Sequence, residues 1–223
     1  MTIKLFMQAI AKFLFGILSV GLLLFLPAGS VFYANGWLMM GILFVPMFFA
    51  GIVMMVHNPA LLQMRLVAKE EQHEQKLLVA ASGLMFIAGF VVAGLTFRFG
   101  GYMVSKSVVF IAVAVFLAAY ILYAEVLREN TYLSRIIEVR EGQNVLDTGL
   151  YGIVRHPMYS ATLFLFLAMP LVLGSLYSFF VFLVYPFIIA KRIRYEEVFL
   201  EANLPGYSAY KRKVKYRLIP FIW

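Results

Sequence analysis

The sequence predicts an all-α fold: an integral membrane helix bundle of four transmembrane spans, followed by a helical hairpin and a polar tail. Of its 223 residues, 63% are hydrophobic and 13% charged, and the mean hydropathy is +0.90, far above the balance of a soluble domain. Four apolar runs, each long enough to cross a hydrocarbon core of roughly 30 Å, occupy the first 127 residues. The net charge is +8, but the basic residues fall in short segments between the apolar runs, the pattern of topology signals and anionic-lipid contacts. Nucleic acid is therefore not an expected partner. The absence of cysteine excludes disulfides, thiolate metal sites, a cysteine nucleophile and cysteine-linked lipid anchors.

Residues 6–26 form the first span, interrupted only by Lys12 and a few small polar residues. The run is too long for a signal peptide and lacks a small-residue cleavage site, so it is expected to be retained. Residues 27–36 make an uncharged aromatic turn, and 37–56 are the second span. The methionines of that span, Met39, Met40, Met47, Met54 and Met55, are read as packing filler rather than a ligand groove. His57-Asn58-Pro59 closes the span, and 57–76 is an interfacial segment whose first half suits an amphipathic helix. His57 and His73 have no partner at metal-ligand spacing, and no metal is expected.

The third span covers 77–97, with Gly89 and Ala93 at the four-residue spacing that lets membrane helices approach closely. The fourth covers 107–127. Glu125 near its end admits two readings, a functional ionisable group or a helix-end pair with Arg128. Residues 128–154 are polar and rich in turn formers, so a short helix through about Val139 and then an extended loop are expected. The apolar run 158–189 is too long for one helix and is divided by Pro170 and by Leu173-Gly174-Ser175 into a hairpin. With this layout 17 of the 19 Lys and Arg residues share one side, leaving Arg98 and Lys106 on the other. The positive-inside rule then puts both termini on the cytoplasmic side. Two regions follow, 1–127 of membrane helices and 128–223 of candidate site.

Two polar knots stand out on that side. The first is Arg155-His156-Pro157, where the proline suits the first turn of a new helix and His156 its cap. The unpaired N–H groups there favour an anionic guest. The second knot is 191–197, with Arg192, Tyr195, Glu196 and Glu197. Each alone is accounted for by headgroup anchoring or an i,i+4 pair. Joined by a hairpin that returns the second to the first, and furnished with Tyr151, Tyr159 and Tyr195, they supply the carboxylates, cation and π faces that suit a nucleoside bearing an amino acid and a sulfonium.

The order Asp147-Thr-Gly-Leu-Tyr151, Arg155-His-Pro-Met-Tyr159, apolar hairpin, Arg192-Ile-Arg-Tyr-Glu196-Glu197, then Tyr207, Tyr210 and Leu218-Ile-Pro-Phe221 resembles the isoprenylcysteine carboxyl methyltransferase and phospholipid methyltransferase superfamily. The likeness runs from about Asn130 onward. The stretch from Asn58 to Arg65 and the aromatic turn before Trp37 are similar to a bacterial branch named after the isoprenylcysteine enzyme. Two departures are Leu150 and Gly152, where many relatives carry Pro and Arg, and Leu204-Pro-Gly-Tyr207 in place of the commoner Phe-Gly-x-x-Tyr.

The resemblance implies S-adenosylmethionine bound on the cytoplasmic side beneath the C-terminal tail. Carried over residue by residue, it implies cofactor contacts from Gln143, Asn144, Val145, Leu146, Tyr151, His156, Pro157, Met158, Tyr159, Glu196 and Glu197, with Glu138 as a further polar contact. Arg155 and Arg192 are the candidate catalytic residues, holding the methyl acceptor. The implied substrate is a lipophilic small molecule or prenylated group reaching the site from the bilayer, among membrane lipids, with carboxyl O-methylation of an isoprenylcysteine-like acceptor expected. Lipid N-methylation, an NADPH-dependent membrane sterol or enone reductase, and a non-catalytic scaffold remain alternatives. A bacterial chain of this kind would reside in the inner membrane.

Overall fold

The computed structural model describes residues 3–66, 73–130, 132–133, 137, 139 and 142–223. The expected all-α membrane bundle is what it shows. Helices α1 (Ile3–Ala28), α2 (Ala34–His57), α4 (His73–Phe99) and α5 (Lys106–Glu129) are the four long apolar helices, with the short α3 (Pro59–Leu66) after α2. The hairpin consists of α6 (Pro157–Val172) against α7 (Leu176–Phe182) and α8 (Tyr185–Asn203), and α9 (Tyr207–Lys213) follows in the tail. Four helices and the stretch Leu176–Asn203 are long and apolar enough to cross a membrane, and Pro157–Val172 is a shorter apolar helix. Among the described residues the only β-pairing is a single bridge, Met103 to Ser175.

Local chemistry sets the helix ends. Asn58 accepts at Oδ1 from the Leu61 N–H at 3.0 Å and opens α3, whose Leu61 and Leu62 are buried. Ser105 caps α5 by accepting from the Val108 N–H at 3.4 Å. Pro157 is the first residue of α6, where a missing N–H costs nothing. In the polar segment after α5, the described residues 132, 133, 137 and 139 carry no helix.

The hairpin differs from expectation at Pro170. Pro170 does not divide it, because α6 runs through Pro170 to Val172, and the turn lies at Leu173–Ser175 with Gly174 at φ +80°. Pro170 is in the last turn, where little helix remains to be broken. Ser175 then starts α7, its hydroxyl accepting from the Ser178 N–H at 3.1 Å. A second interruption falls at Leu183–Val184, between α7 and α8, just before Pro186. Pro186 cannot donate back to Phe182, and its ring crowds that carbonyl.

Helix packing in a bilayer relies on close backbone approach. A Cβ on Gly94 would stand 2.5 Å from the Leu24 carbonyl oxygen of α1, and one on Gly89 only 2.2 Å from the Phe182 ring of α7. Ser178 donates to the Gly89 carbonyl at 2.8 Å, the Thr96 and Ser175 hydroxyls meet at 2.8 Å, and Tyr33 donates to the Leu173 carbonyl. These stitches satisfy the polar groups around the hairpin turn and hold it against α4.

Gly94→Val is therefore expected to destabilise the detergent-solubilised protein by about 1–3 kcal/mol, because the opposing atom is rigid backbone. Gly83→Ala, facing open space, should leave the thermal midpoint unchanged or raised. Equal midpoints for the two variants would contradict this packing.

Candidate functional site

The hairpin returns α8 to the beginning of α6, and the tail closes on both. The backbone N–H groups of Arg155 and His156 donate to the carbonyls of Tyr216 and Arg217, each at 2.9 Å, and the Ser160 hydroxyl donates to the Leu218 carbonyl at 2.6 Å. The Arg-His-Pro corner is thus clasped by the tail before any charged group is considered.

Behind the corner lies a buried ionic cluster. Arg155 and Glu197 are only 7% and 3% exposed. Arg155 donates from Nε to Glu197 Oε1 at 2.7 Å and from Nη1 to the Val214 and Lys215 carbonyls at 2.6 and 2.9 Å. Arg217 donates from Nε to Glu197 Oε2 at 3.0 Å, and His156 Nε2 lies 3.3 Å from Oε1. Both oxygens of Glu197 are thereby engaged, the condition under which a buried carboxylate is tolerated.

In front of the corner is a cleft of about 110 Å³ that opens to the surroundings. Across it Tyr159 donates to Glu196 Oε2 at 2.5 Å and Arg192 Nε donates to the Tyr159 hydroxyl at 3.0 Å. The His156 ring stacks on Tyr159 with centroids 5.7 Å apart. Of the sequence-predicted residues, Gln143, Asn144, Val145, Leu146, Tyr151, Arg155, His156, Met158, Tyr159, Arg192 and Glu196 line the cleft. Pro157 is buried at the start of α6, and Glu197 points into the ionic cluster instead. Glu138 lies outside the described residues.

Several contributors escaped the sequence reading. Asn130 Nδ2 donates to the Tyr151 hydroxyl at 2.9 Å, and Glu129 accepts from the Leu150 N–H at 3.0 and 3.2 Å. Gly149, at φ +54°, makes room for that carboxylate, since a Cβ would fall 2.0 Å from Glu129 Oε1. The signal available in sequence was an acidic residue at a span end together with a glycine at the loop turn. Arg217 completes the cluster, and the wall also takes in Leu200, together with Leu204, Tyr207 and Tyr210 from the stretch that carried the resemblance. Burial pushes the Tyr151 phenol up to about 12, and that of Tyr210 above its ordinary value. Tyr210 stays a donor, bonding the Tyr151 carbonyl at 2.7 Å. The hydrogen-bonded Lys213 ammonium holds the half-buried Asp147 below the ordinary carboxylate range.

With this geometry, comparison with known families is informative. Residues 107–202 match the isoprenylcysteine carboxyl methyltransferase (ICMT) family. The ICMT match begins within α5 and runs nearly to the end of α8, so it spans the corner, the hairpin, Arg192 and both glutamates. Among curated proteins none matches the chain. The ICMT region and the apolar helices together support a membrane methyltransferase.

Two outcomes are expected. Glu197→Gln should destabilise by about 3–5 kcal/mol, because it leaves buried cations uncompensated. Glu201→Gln, at the exposed pair with Lys211, should stay within about 1 kcal/mol of wild type; thermal unfolding in detergent distinguishes them. Gly149→Ala should cost about 1–2 kcal/mol from its left-handed backbone alone. Glu129→Ala in the same chain should not restore the loss, as the protease sensitivity of the 143–152 loop would report.

Proposed function

We propose that the protein is an S-adenosylmethionine-dependent methyltransferase acting on a lipophilic carboxylate delivered from the bilayer, with its site on the cytoplasmic side. The observation that carries the reading is the hydrogen-bonded chain Arg192, Tyr159, Glu196, which lines the cleft and lies within the family-matched region. The basic residues gathered around the cleft end of the bundle support the sidedness.

The residues present fit the cofactor by their chemistry. Glu196 is a carboxylate for ribose hydroxyls or an ammonium, His156, Tyr151 and Tyr159 offer ring faces, and the backbone of 143–146 offers polar groups beside Val145, Leu146 and Met158. S-adenosylmethionine supplies, when bound, a methyl group on a sulfonium that an oxygen nucleophile can displace. The protein's part is alignment and exclusion of water. Of the two candidate arginines, Arg155 spends Nε and Nη1 on Glu197 and the tail. Arg192, which lines the same cleft but is only half-buried, is assigned the acceptor anion and the buried Arg155 the positioning of the corner. A carboxylate needs no base, whereas an ammonium must lose a proton first. The two cleft groups suited to taking it are engaged, His156 with Glu197 and Glu196 with Tyr159, which favours the carboxylate.

Isothermal titration of the purified protein with S-adenosylmethionine and with NADPH tests this. Wild type should bind the first, and His156→Ala and Glu196→Ala should each weaken it roughly tenfold or more, about 1.4 kcal/mol. Wild-type affinity in both variants refutes the site, and NADPH binding instead would favour a reductase. Incubating membranes with methyl-labelled cofactor should yield label that mild base releases, as an ester requires.

A further inference from the structure

The polar side chains of the cleft wall are largely accounted for by partners within the protein. Tyr159 bonds Glu196, Arg192 bonds Tyr159, Asn130 bonds the Tyr151 hydroxyl and Tyr210 bonds the Tyr151 carbonyl. Tyr207 differs. It lines the same cleft and is only 4% exposed, yet its hydroxyl is buried and has no hydrogen-bond partner among the described residues.

Its ring is held by packing rather than by that hydroxyl. Gly206 turns the chain at φ +86°, the Tyr207 N–H donates to the Leu204 carbonyl at 3.2 Å, and the ring packs on Tyr210 with centroids 5.7 Å apart. Leu204 and Val214 belong to the same small cluster, with Val139, Val145 and Leu200 packed against it. Phenylalanine would fill the position equally well, so the hydroxyl is a cost to the ligand-free fold. The charged groups that bear on it, Glu197, Glu196 and Arg155, do not take it up. Both oxygens of Glu197 are committed to Arg155, His156 and Arg217, and Glu196 Oε2 is committed to Tyr159. Burial raises the Tyr207 phenol well above its ordinary value, so it stays neutral and keeps its proton to donate.

We infer that Tyr207 is a cofactor-binding residue, whose hydroxyl hydrogen-bonds a polar atom of the nucleoside and amino-acid body of the methyl donor. The inference rests on the methyl-donor reading above and adds to it a contact from α9, outside the family-matched region. It explains a tyrosine at a position where packing alone asks for an aromatic hydrocarbon.

The test compares wild type, Tyr207→Phe and Tyr210→Phe by titration with S-adenosylmethionine and with its demethylated product, alongside ligand-free thermal midpoints. Tyr207→Phe should weaken both ligands roughly fivefold or more while its ligand-free midpoint is unchanged or higher. Tyr210→Phe, which loses an internal hydrogen bond, should lower the midpoint. Unchanged affinity in Tyr207→Phe, with wild type binding normally, overturns the inference and leaves the methyltransferase reading intact. Weakening confined to the methylated ligand also overturns it, since the hydroxyl would then serve the transferred group. Failure of wild type to bind either ligand overturns the methyl-donor reading itself.

Discussion

The architecture of the cleft depends on where one carboxylate is buried. Glu197 of α8 meets Arg155 and His156 from the corner before α6 and Arg217 from the tail, tying together three segments far apart in sequence. In so dry a place an ionised carboxylate persists only when its lone pairs are filled, and here the partners fill both oxygens. Helical geometry does the rest. Successive residues of a helix are rotated by about 100°, so fixing Glu197 inward turns Glu196 toward Tyr159 and the cleft. Two adjacent glutamates thereby take different tasks, one holding the frame and the other facing the cleft.

The opposite end of the bundle solves a different problem. Lipid offers no hydrophobic drive between helices, so contact comes from shape and from satisfied polar groups. Gly94 admits the backbone of α1, Gly89 admits Phe182, and the hydroxyls of Tyr33, Thr96, Ser175 and Ser178 absorb the polar groups near the hairpin turn. A hairpin pinned there delivers its two open ends to the same place, which is how Arg155 and Glu197 come within 2.7 Å.

The spans, the helix start at Pro157 and the turn at Leu173–Ser175 were legible in the sequence because each is governed by a local rule of length, proline placement or turn residues. The pairing of the two polar knots was legible through the hairpin that joins them. The different fates of Glu196 and Glu197 were not, since they depend on which face of α8 meets the tail. Asn130 and Arg217 escaped notice because each acts across a long stretch of chain and neither sits in a local pattern, and Glu129, although it stands at a span end, bonds a backbone N–H 21 residues on. The two hairpin prolines show the limit of reading residues in isolation. Pro170 falls where its helix is already ending, whereas Pro186 falls just past a turn that it terminates, and only the fold distinguishes them.

The clasp between residues 155–156 and 216–217 bears on how the protein comes into being. The long helices can enter the bilayer as they emerge during translation, N-terminal segments first. The corner waits for carbonyls about sixty residues downstream, at Val214 and Lys215. Insertion and maturation of the cleft are therefore separate events in time, and a polypeptide arrested shortly after α8 would be a membrane-embedded bundle with its cleft still unmade.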